Sequence, residues 1–157
     1  MKKIITTSLI TIVTIICLVG AFFFYASTPV RKERKEAIQL AEKYADMNKP
    51  ERFYLFTRDQ TYYTIAGENK KRQEILVSIP KDGDTIKVVD QKDGITEKQA
   101  QEIVQKKYHP YKIENINFGY IKGIPVWEVT TMNKDHTLSY YSLRFRNGSI
   151  YNKITNF

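Results

Sequence analysis

The feature that most constrains the fold of this 157-residue chain is an internal repeat at an offset near 64 residues. Residues 62–65 align with residues 126–129, and residues 68–71 align with residues 132–135. Solenoid repeats are shorter, at roughly 20 to 50 residues. The repeat therefore predicts a duplicated domain, with two copies of one small fold in tandem.

Each copy has the pattern of one helix followed by four short strands. Apolar residues recur at three- and four-residue spacing in the helices, and β-branched and aromatic residues fill the strands between turn-forming residues. Thr96 and Gln99 form a capping box at the start of the second helix. Asn147-Gly148 predicts a two-residue hairpin. The predicted elements are a helix over 33–48 with strands over 52–58, 60–66, 73–79 and 85–89, then a helix over 96–108 with strands over 113–121, 126–132, 137–146 and 149–154.

The predicted fold class is α+β, with an N-terminal transmembrane helix followed by two tandem small units. An antiparallel meander with one apolar face needs a cover, and the helix of the same unit is the obvious one. Residues 1–30 are predicted to form a short tail and a membrane anchor, residues 31–92 the first unit and residues 93–157 the second. The joint at residues 91–95 is short, which predicts that the two units pack against one another.

An uncharged stretch, Ile4 to Ala26, precedes both units. At about 1.5 Å rise per residue, it is long enough to cross a hydrocarbon core roughly 30 Å thick. Val19-Gly20-Ala21 resembles a signal-peptide cleavage site. The apolar run continues past that point through Phe22 to Tyr25, which favours a retained anchor. Whether the anchor is cleaved stays open.

The charges on the two sides of this stretch pull its orientation in opposite directions. Lys2 and Lys3 favour a cytoplasmic N-terminus, whereas the basic residues within 31–35 favour the reverse. Long C-terminal domains can translocate largely regardless of flanking charge. We therefore expect a single-pass protein of the cell membrane, with the N-terminus in the cytoplasm and both units outside it.

Composition narrows the classes of partner. The chain carries 25 Lys and Arg against 17 Asp and Glu, and this excess is spread along the sequence. Because nucleic-acid-binding proteins concentrate such charge in a stripe, no nucleic-acid partner is predicted. The balance fits a module beside anionic lipid or wall polymers, and it equally fits solubility alone. The one cysteine, Cys17, excludes a disulfide within the chain and a site built of several cysteines.

The sequence contains no pattern that indicates catalysis. His109 and His136 are the only histidines, and they lie in different predicted loops. No nucleophile-elbow, P-loop or dinucleotide-binding motif is present. Asp82 and Asp84 flank Gly83, which is a turn signature. We therefore predict no enzyme activity, no cofactor, no metal and no small-molecule substrate.

The candidate interaction residues lie on one face of a predicted hairpin in the second unit. Period-two alternation places Trp127 and Tyr141 on the buried face, and it places the candidates on the opposite face. Tyr and Arg together are enriched at protein interfaces. Two readings stay open, namely an external partner or packing against the first unit. The candidate partner-binding residues are Tyr140, Ser142, Arg144, Arg146 and Glu128.

Several segments together carry a resemblance to a known family. The segments are residues 61–67, 94–100, 127–130, 138–141 and 148–154. With the N-terminal apolar stretch, they resemble the TseB-like (YpmB-like) family of low-GC Gram-positive bacteria, and more widely tandem PepSY-type, cystatin-like domains. The likeness covers essentially the whole chain.

The resemblance implies a membrane-anchored extracytoplasmic protein without known catalytic activity. Members are associated with cell-wall elongation and are thought to act through a class B penicillin-binding protein. The function implied is therefore that of a non-enzymatic accessory protein that modulates a wall synthase. The alternative is a protease inhibitor or chaperone-like module, since PepSY-type domains occur as propeptides that restrain peptidases.

Overall fold

The computed structural model describes residues 2–82 and 85–155. Within the first helix, it describes the side chains of residues 12–20 and from residue 30 onward. The chain divides into an N-terminal segment, residues 1–36, and a C-terminal segment, residues 37–157.

The N-terminal segment is helical. Helix α1 runs Lys2–Ala45, so the predicted membrane span and the first predicted helix belong to one element. The described side chains of residues 12–20 are all exposed, and Leu18 is 65% exposed. Over the residues that the structure describes, no helix has the length and hydropathy that a membrane crossing requires. The remaining side chains of the predicted span, at residues 4–11 and 21–26, lie outside the described residues, and the span stays a prediction.

The C-terminal segment contains the end of α1, two antiparallel sheets and one further helix. The first sheet has strand order β1-β2-β3-β4, and the second has order β5-β6-β7-β8. A short 3₁₀ helix, Gln91–Asp93, connects β4 to α2. It joins the first half of this segment, which is the end of α1 with the first sheet, to the second half, which is α2 with the second sheet. The elements are β1 Met47–Thr57, β2 Thr61–Asn69, β3 Glu74–Pro80, β4 Lys87–Asp90, α2 Glu97–Tyr108, β5 Lys112–Ile121, β6 Ile124–Met132, β7 Leu138–Arg144 and β8 Ile150–Ile154. This arrangement confirms the predicted α+β class with two four-stranded sheets, each packed with a helix.

The duplication extends to the turns. Asp46 and His109, 63 positions apart, end the two helices in left-handed backbone conformations, with φ of 51° and 48°. The β2–β3 and β6–β7 turns are also alike, because the amide groups of Asn69 and Asn133 each donate to the side chain four residues further on. Equivalent positions in the two halves therefore differ by 63 or 64 residues, as the repeat predicts.

Two hydrophobic cores stabilise the C-terminal segment. In the smaller core, Ala37 and Ala41 of α1 pack with one face of the first sheet. The larger core contains the other face of the first sheet, α2 and the second sheet, with Phe56, Phe118 and Trp127 at most 1% exposed. The two halves thus pack on each other, as the short joint predicts, while their exact boundary at 92/93 stays a prediction.

The capping box of α2 is confirmed. The Thr96 hydroxyl accepts from the Gln99 backbone N–H at 3.2 Å, and the Gln99 side chain accepts from the Thr96 N–H at 2.8 Å. The end of the first helix is different from the prediction, because α1 stops at Ala45 rather than near Asn48. Asp46 turns the chain, and Met47 already begins β1, with its side chain buried.

The prediction of a two-residue hairpin at Asn147-Gly148 is wrong. Strand β7 ends at Arg144 and β8 starts at Ile150, so five residues connect them. The cause is Phe145, whose side chain is buried in the larger core and whose carbonyl accepts from the Ile95 N–H at 2.7 Å. The Phe145 N–H still donates to the Pro125 carbonyl of β6 at 2.9 Å, so pairing with β6 continues for one bond past the end of β7.

Candidate protein-interaction surface

The register of the second sheet places most of the predicted residues on one face. Glu128 on β6 lies opposite Ser142 on β7, and Tyr140 and Arg144 lie two residues to either side of Ser142. Because side chains alternate along a strand, these four share the face opposite Trp127. Arg146 is exposed and lies in the turn after β7, outside the strand.

Glu128 and Ser142 are buried, at 6% and 2% exposure. The Ser142 hydroxyl donates to the Glu128 carboxylate at 3.3 Å, and Arg58 Nε donates to the same oxygen at 2.7 Å. Arg58 belongs to the β1–β2 turn of the first half. These two predicted residues are therefore used in packing between the halves, which was one of the two readings that the sequence left open.

Tyr140 and Arg144 remain partly exposed. The Arg58 guanidinium lies 4.8 Å from the centre of the Tyr140 ring, and the Arg144 guanidinium lies 4.7 Å from the centre of the Tyr151 ring. Cation–π contacts of this kind hold a long side chain against an aromatic surface. Tyr140 thus lies where the part of the face that Arg58 covers ends and the partly exposed part begins.

The first sheet has an equivalent buried polar pair on its equivalent face. The Thr64 hydroxyl lies 2.8 Å from the Ser78 hydroxyl, 64 positions before Glu128 and Ser142. Thr64 also donates to the backbone carbonyl of Phe118 on β5, at 3.1 Å. This face of the first sheet is therefore covered by the edge strand of the second.

A glycine makes that approach of β5 close enough. A Cβ atom at Gly119 would lie 2.3 Å from two ring atoms of Phe56. Any larger residue would force the two strands apart. The sequence did not point to Gly119, since a single glycine within a strand pattern has several explanations.

A second contact between the halves involves the start of α2. The Tyr54 hydroxyl donates to the Glu97 carboxylate at 2.8 Å, and Arg52 bonds to the same oxygen. Burial, followed by the hydrogen bond to Glu97, raises the pKa of the Tyr54 phenol. Tyr54 also meets Trp127 edge to face, with ring centres 5.3 Å apart.

Two adjoining clefts open beside this contact, with volumes of about 450 Å³ and 240 Å³. Both are lined by Glu74, Gln91 and Thr96. Their rims mix amides with charges of both signs, and this composition selects no particular ligand. Across residues 2–82 and 85–155, no three His, Cys, Asp or Glu side chains group closely enough to hold a metal ion.

The two histidines lie exposed in turns, as predicted. His109 ends α2, and its N–H donates to the Gln105 carbonyl at 3.2 Å. The His136 N–H donates to the Asn133 carbonyl at 3.1 Å in the β6–β7 turn. Both therefore have local backbone roles. Of the turn that contains Asp82, residues 83 and 84 lie outside the described part of the chain.

Sequence reasoning missed Arg58, which makes the central contact between the halves. It lies in a turn beside Asp59, where no periodicity applies. The only signal was its place in the repeat, since Lys122 occupies the equivalent turn of the second half, 64 positions later.

Comparison with known proteins gives three agreeing results. Residues 36–80 match the family described as "Cell wall elongation regulator TseB-like domain". The chain is 26% identical over 157 residues to "Probable cell wall elongation regulator TseB" of Bacillus subtilis, covering 98% of each chain. It also superposes on the structure of "YpmB protein from Bacillus subtilis" with a TM-score of 0.68 and 26% identity, covering 77% of this chain and 95% of the other. The domain match, the end-to-end similarity and the shared fold confirm the predicted resemblance of this chain, with its two α+β units, to the TseB-like (YpmB-like) family of cell wall elongation regulators.

Proposed function

We propose that this protein is a non-enzymatic, membrane-anchored regulator of cell-wall elongation. It acts on the extracytoplasmic face of the membrane and modulates a class B penicillin-binding protein by binding to it. The observation that carries the proposal is the end-to-end similarity to a probable cell wall elongation regulator, which covers 98% of both chains. Because the alignment covers 98% of the chain, it includes the N-terminal stretch and is not confined to residues 37–157.

The anchor is supported by the composition and exposure of the first helix. Ile4 to Ala26 carries no charge, and its described side chains at residues 12–20 are exposed. A run of exposed apolar side chains of this length is unfavourable in water and favourable in lipid. An anchor also restricts the two sheets to the space beside the membrane, where membrane-bound synthases work.

The topology is tested with a single cysteine and an impermeant thiol reagent. The probe is best placed in the turn between β2 and β3. Asn69 is unsuitable there, because its side-chain oxygen accepts from the backbone N–H groups of Lys71 and Gln73. Lys71 is exposed and its side chain is not needed for the turn, so Lys71→Cys in a Cys17→Ala background is the better choice. Labelling in intact cells is expected, with Lys3→Cys in the same background as the cytoplasmic control.

Labelling of Lys71→Cys only after lysis would overturn the extracytoplasmic assignment. Labelling of the Lys3→Cys control in intact cells would show that the cells leak or that the orientation is reversed.

Partner binding is tested by crosslinking the wild-type chain in growing cells with an amine-reactive reagent. The many exposed lysines, among them Lys71, Lys98 and Lys134, make capture independent of any one surface. Recovery of a class B penicillin-binding protein is the expected result. Recovery of a membrane or secreted peptidase instead, with measurable inhibition, would favour the inhibitor function.

A further inference from the structure

We infer that the open end of the second sheet, formed by Thr130, Met132, Leu138, Tyr140 and Ile154, binds an edge strand of a partner protein. This inference rests on the proposed function, in that the protein acts by binding a partner. It adds the surface that is used and the kind of structure that the surface recognises.

These five residues, hereafter the open end, form one continuous patch. Thr130 pairs with Tyr140, Met132 pairs with Leu138, and Tyr140 also pairs with Ile154 on β8. Cross-strand partners lie on the same face of a sheet, with Cβ atoms roughly 5 Å apart. All five side chains are partly exposed. The opposite face carries α2. On this face, Arg58 of the first half reaches Glu128, and the open end lies beyond that contact.

The composition of the open end is unusual for a solvent-facing sheet. Within the described part of the chain, neither hydrophobic core includes Met132, Leu138 or Ile154. The first half has Glu68 and Glu74 at the positions equivalent to Met132 and Leu138, and these two are likewise cross-strand partners. A solvated sheet face normally carries polar residues, so an apolar patch at this position indicates a contact surface.

The chain itself shows what such a face can bind. On the equivalent face of the first sheet, the Thr64 hydroxyl donates to the Phe118 carbonyl of β5, and Phe56 packs against Gly119 of the same strand. Strand β5 is the edge strand of its own sheet. The docking mode is therefore a strand edge laid on a sheet face, held by a hydroxyl-to-carbonyl bond and by apolar contacts such as those of Phe56 with Gly119 and of Tyr62 with Tyr120.

The open end presents the same two chemical elements. Within the described residues, the structure gives the hydroxyls of Thr130 and Tyr140 no hydrogen-bond partner, so both are available to donate to backbone carbonyls. Met132, Leu138 and Ile154 supply the apolar contact. None of the five side chains is charged, and the cations beside them include Arg58 on the Tyr140 ring and Lys112, the cross-strand partner of Met132. The carbonyl oxygens along a strand edge fit a surface of this composition.

The inference is tested by site-specific photocrosslinking of the full chain in growing cells. The photoreactive residue p-benzoylphenylalanine replaces Leu138 or Tyr140, and the control replaces Tyr44, which is 60% exposed and lies on α1. Both open-end positions are expected to give a crosslinked partner in several-fold higher yield than the control. Peptide mapping is expected to place the attachment on an edge strand of that partner.

Three results would overturn the inference. The first is equal yield from the open end and from Tyr44, and the second is attachment to a helix or to an internal strand of the partner. The third is a crosslink to a second copy of this chain, which would make the face a homodimer contact.

Two substitutions separate binding from folding. Thr130→Val removes one donor at constant shape and is expected to weaken partner recovery about threefold to tenfold. Leu138→Glu restores the residue type of the first half and is expected to abolish recovery. Thermal unfolding of the full chain shows whether either variant is destabilised. If Leu138→Glu unfolds, the Thr130→Val result alone decides, and undiminished recovery with Thr130→Val would contradict the donor role.

The proposed function and this inference fail in different ways. If amine-reactive crosslinking of the wild-type chain recovers a penicillin-binding protein while the open-end positions give none, then the face is wrong and the function stands. If neither method recovers a wall-synthesis partner, the proposed function falls.

Discussion

The two sheets are copies of one design, yet their equivalent faces have different surroundings. In the first sheet, the face opposite α1 is covered by β5 and the start of α2, and Leu76 there is 1% exposed. In the second sheet, the residue 64 positions later is Tyr140, which is partly exposed and whose ring centre lies 4.8 Å from the Arg58 guanidinium. Duplication thus produced two similar faces, and the packing of the halves used one fully and the other in part.

The difference shows how packing between two copies of a fold can leave one of two equivalent faces partly exposed. Two identical units cannot each cover the other's face through the same contact unless they are arranged symmetrically. Here the contact runs in one direction, with β5 on the face of the first sheet. The matching face of the second sheet is in contact with the first half near Glu128 and Ser142, and its far end is partly exposed.

The largest expected effect comes from truncating the two equivalent residues. Leu76→Ala removes a fully buried side chain and is expected to cost about 3 kcal/mol of unfolding free energy. Tyr140→Ala is expected to cost less, about 1.5 kcal/mol, because Tyr140 is partly exposed and loses a cation–π contact together with only part of the burial that Leu76 has. Thermal or denaturant unfolding of the full chain in detergent measures both. Equal losses would show that the face around Tyr140 is part of the core.

The next effect concerns the ion pair between the halves. Glu128→Gln weakens the bond to Arg58 Nε and is expected to cost about 2 kcal/mol, since the pair is largely removed from water. The control is Glu68→Gln, which weakens the more exposed Lys49–Glu68 pair and is expected to cost less than about 0.5 kcal/mol. The same unfolding measurement applies to both variants.

The double variant Arg58→Met with Glu128→Leu is expected to recover much of the loss, because neither charge is then left unpaired. A double variant as unstable as Glu128→Gln would mean that the charges themselves, rather than the unpaired state, determine the cost.

The alternation and the repeat were enough to predict the elements and their faces. Period-two spacing correctly placed Trp127 inward and Glu128 on the opposite face, and the capping box correctly marked the start of α2. Such signals are local, because they depend on residues within one strand or one helical turn. What covers a face is a long-range property, and nothing near Glu128 indicates that Arg58, 70 positions earlier, would reach it.

The errors have the same origin. Asn147-Gly148 has a strong hairpin signal, but the burial of Phe145 and its bond to Ile95 determine where β7 ends. The end of α1 likewise depends on the left-handed conformation of Asp46, whose carboxylate forms an ion pair with Lys70 from the β2–β3 turn. In both places, a contact with a distant residue outweighs the local preference.

A smaller effect is expected from the contact that covers the first sheet. Thr64→Val keeps the shape of the side chain but leaves the Phe118 carbonyl without its donor and the Ser78 hydroxyl without its partner, at a cost of about 1.5 kcal/mol. The control is Thr130→Val on the second sheet, which is expected to change stability by less than about 0.5 kcal/mol. A loss in the control as large as that of Thr64→Val would show that Thr130 is already occupied within the chain.

The smallest effect expected is a dependence of stability on alkaline pH at the junction. Tyr120 of β5 packs against Tyr62 of β2, with ring centres 5.4 Å apart, and burial raises the pKa of Tyr120 to about 12. Since the folded-state pKa lies above the unfolded value near 10, this phenol's contribution is fully present below pH 10 and is lost as the pH rises through 12. At pH 11 the loss is about 1 kcal/mol.

Tyr120→Phe has no proton to lose and is expected to flatten this part of the profile between pH 10 and pH 12. Tyr111→Phe, at a position 66% exposed, is expected to leave the profile unchanged and serves as the control. Unfolding free energies measured across this range distinguish the two. A profile that Tyr120→Phe does not flatten would mean that this phenol reaches water in the native state. The β5–β6 end of the second sheet would then be as open as the end that carries Tyr140, and the contrast between the two sheets would lose one of its supports.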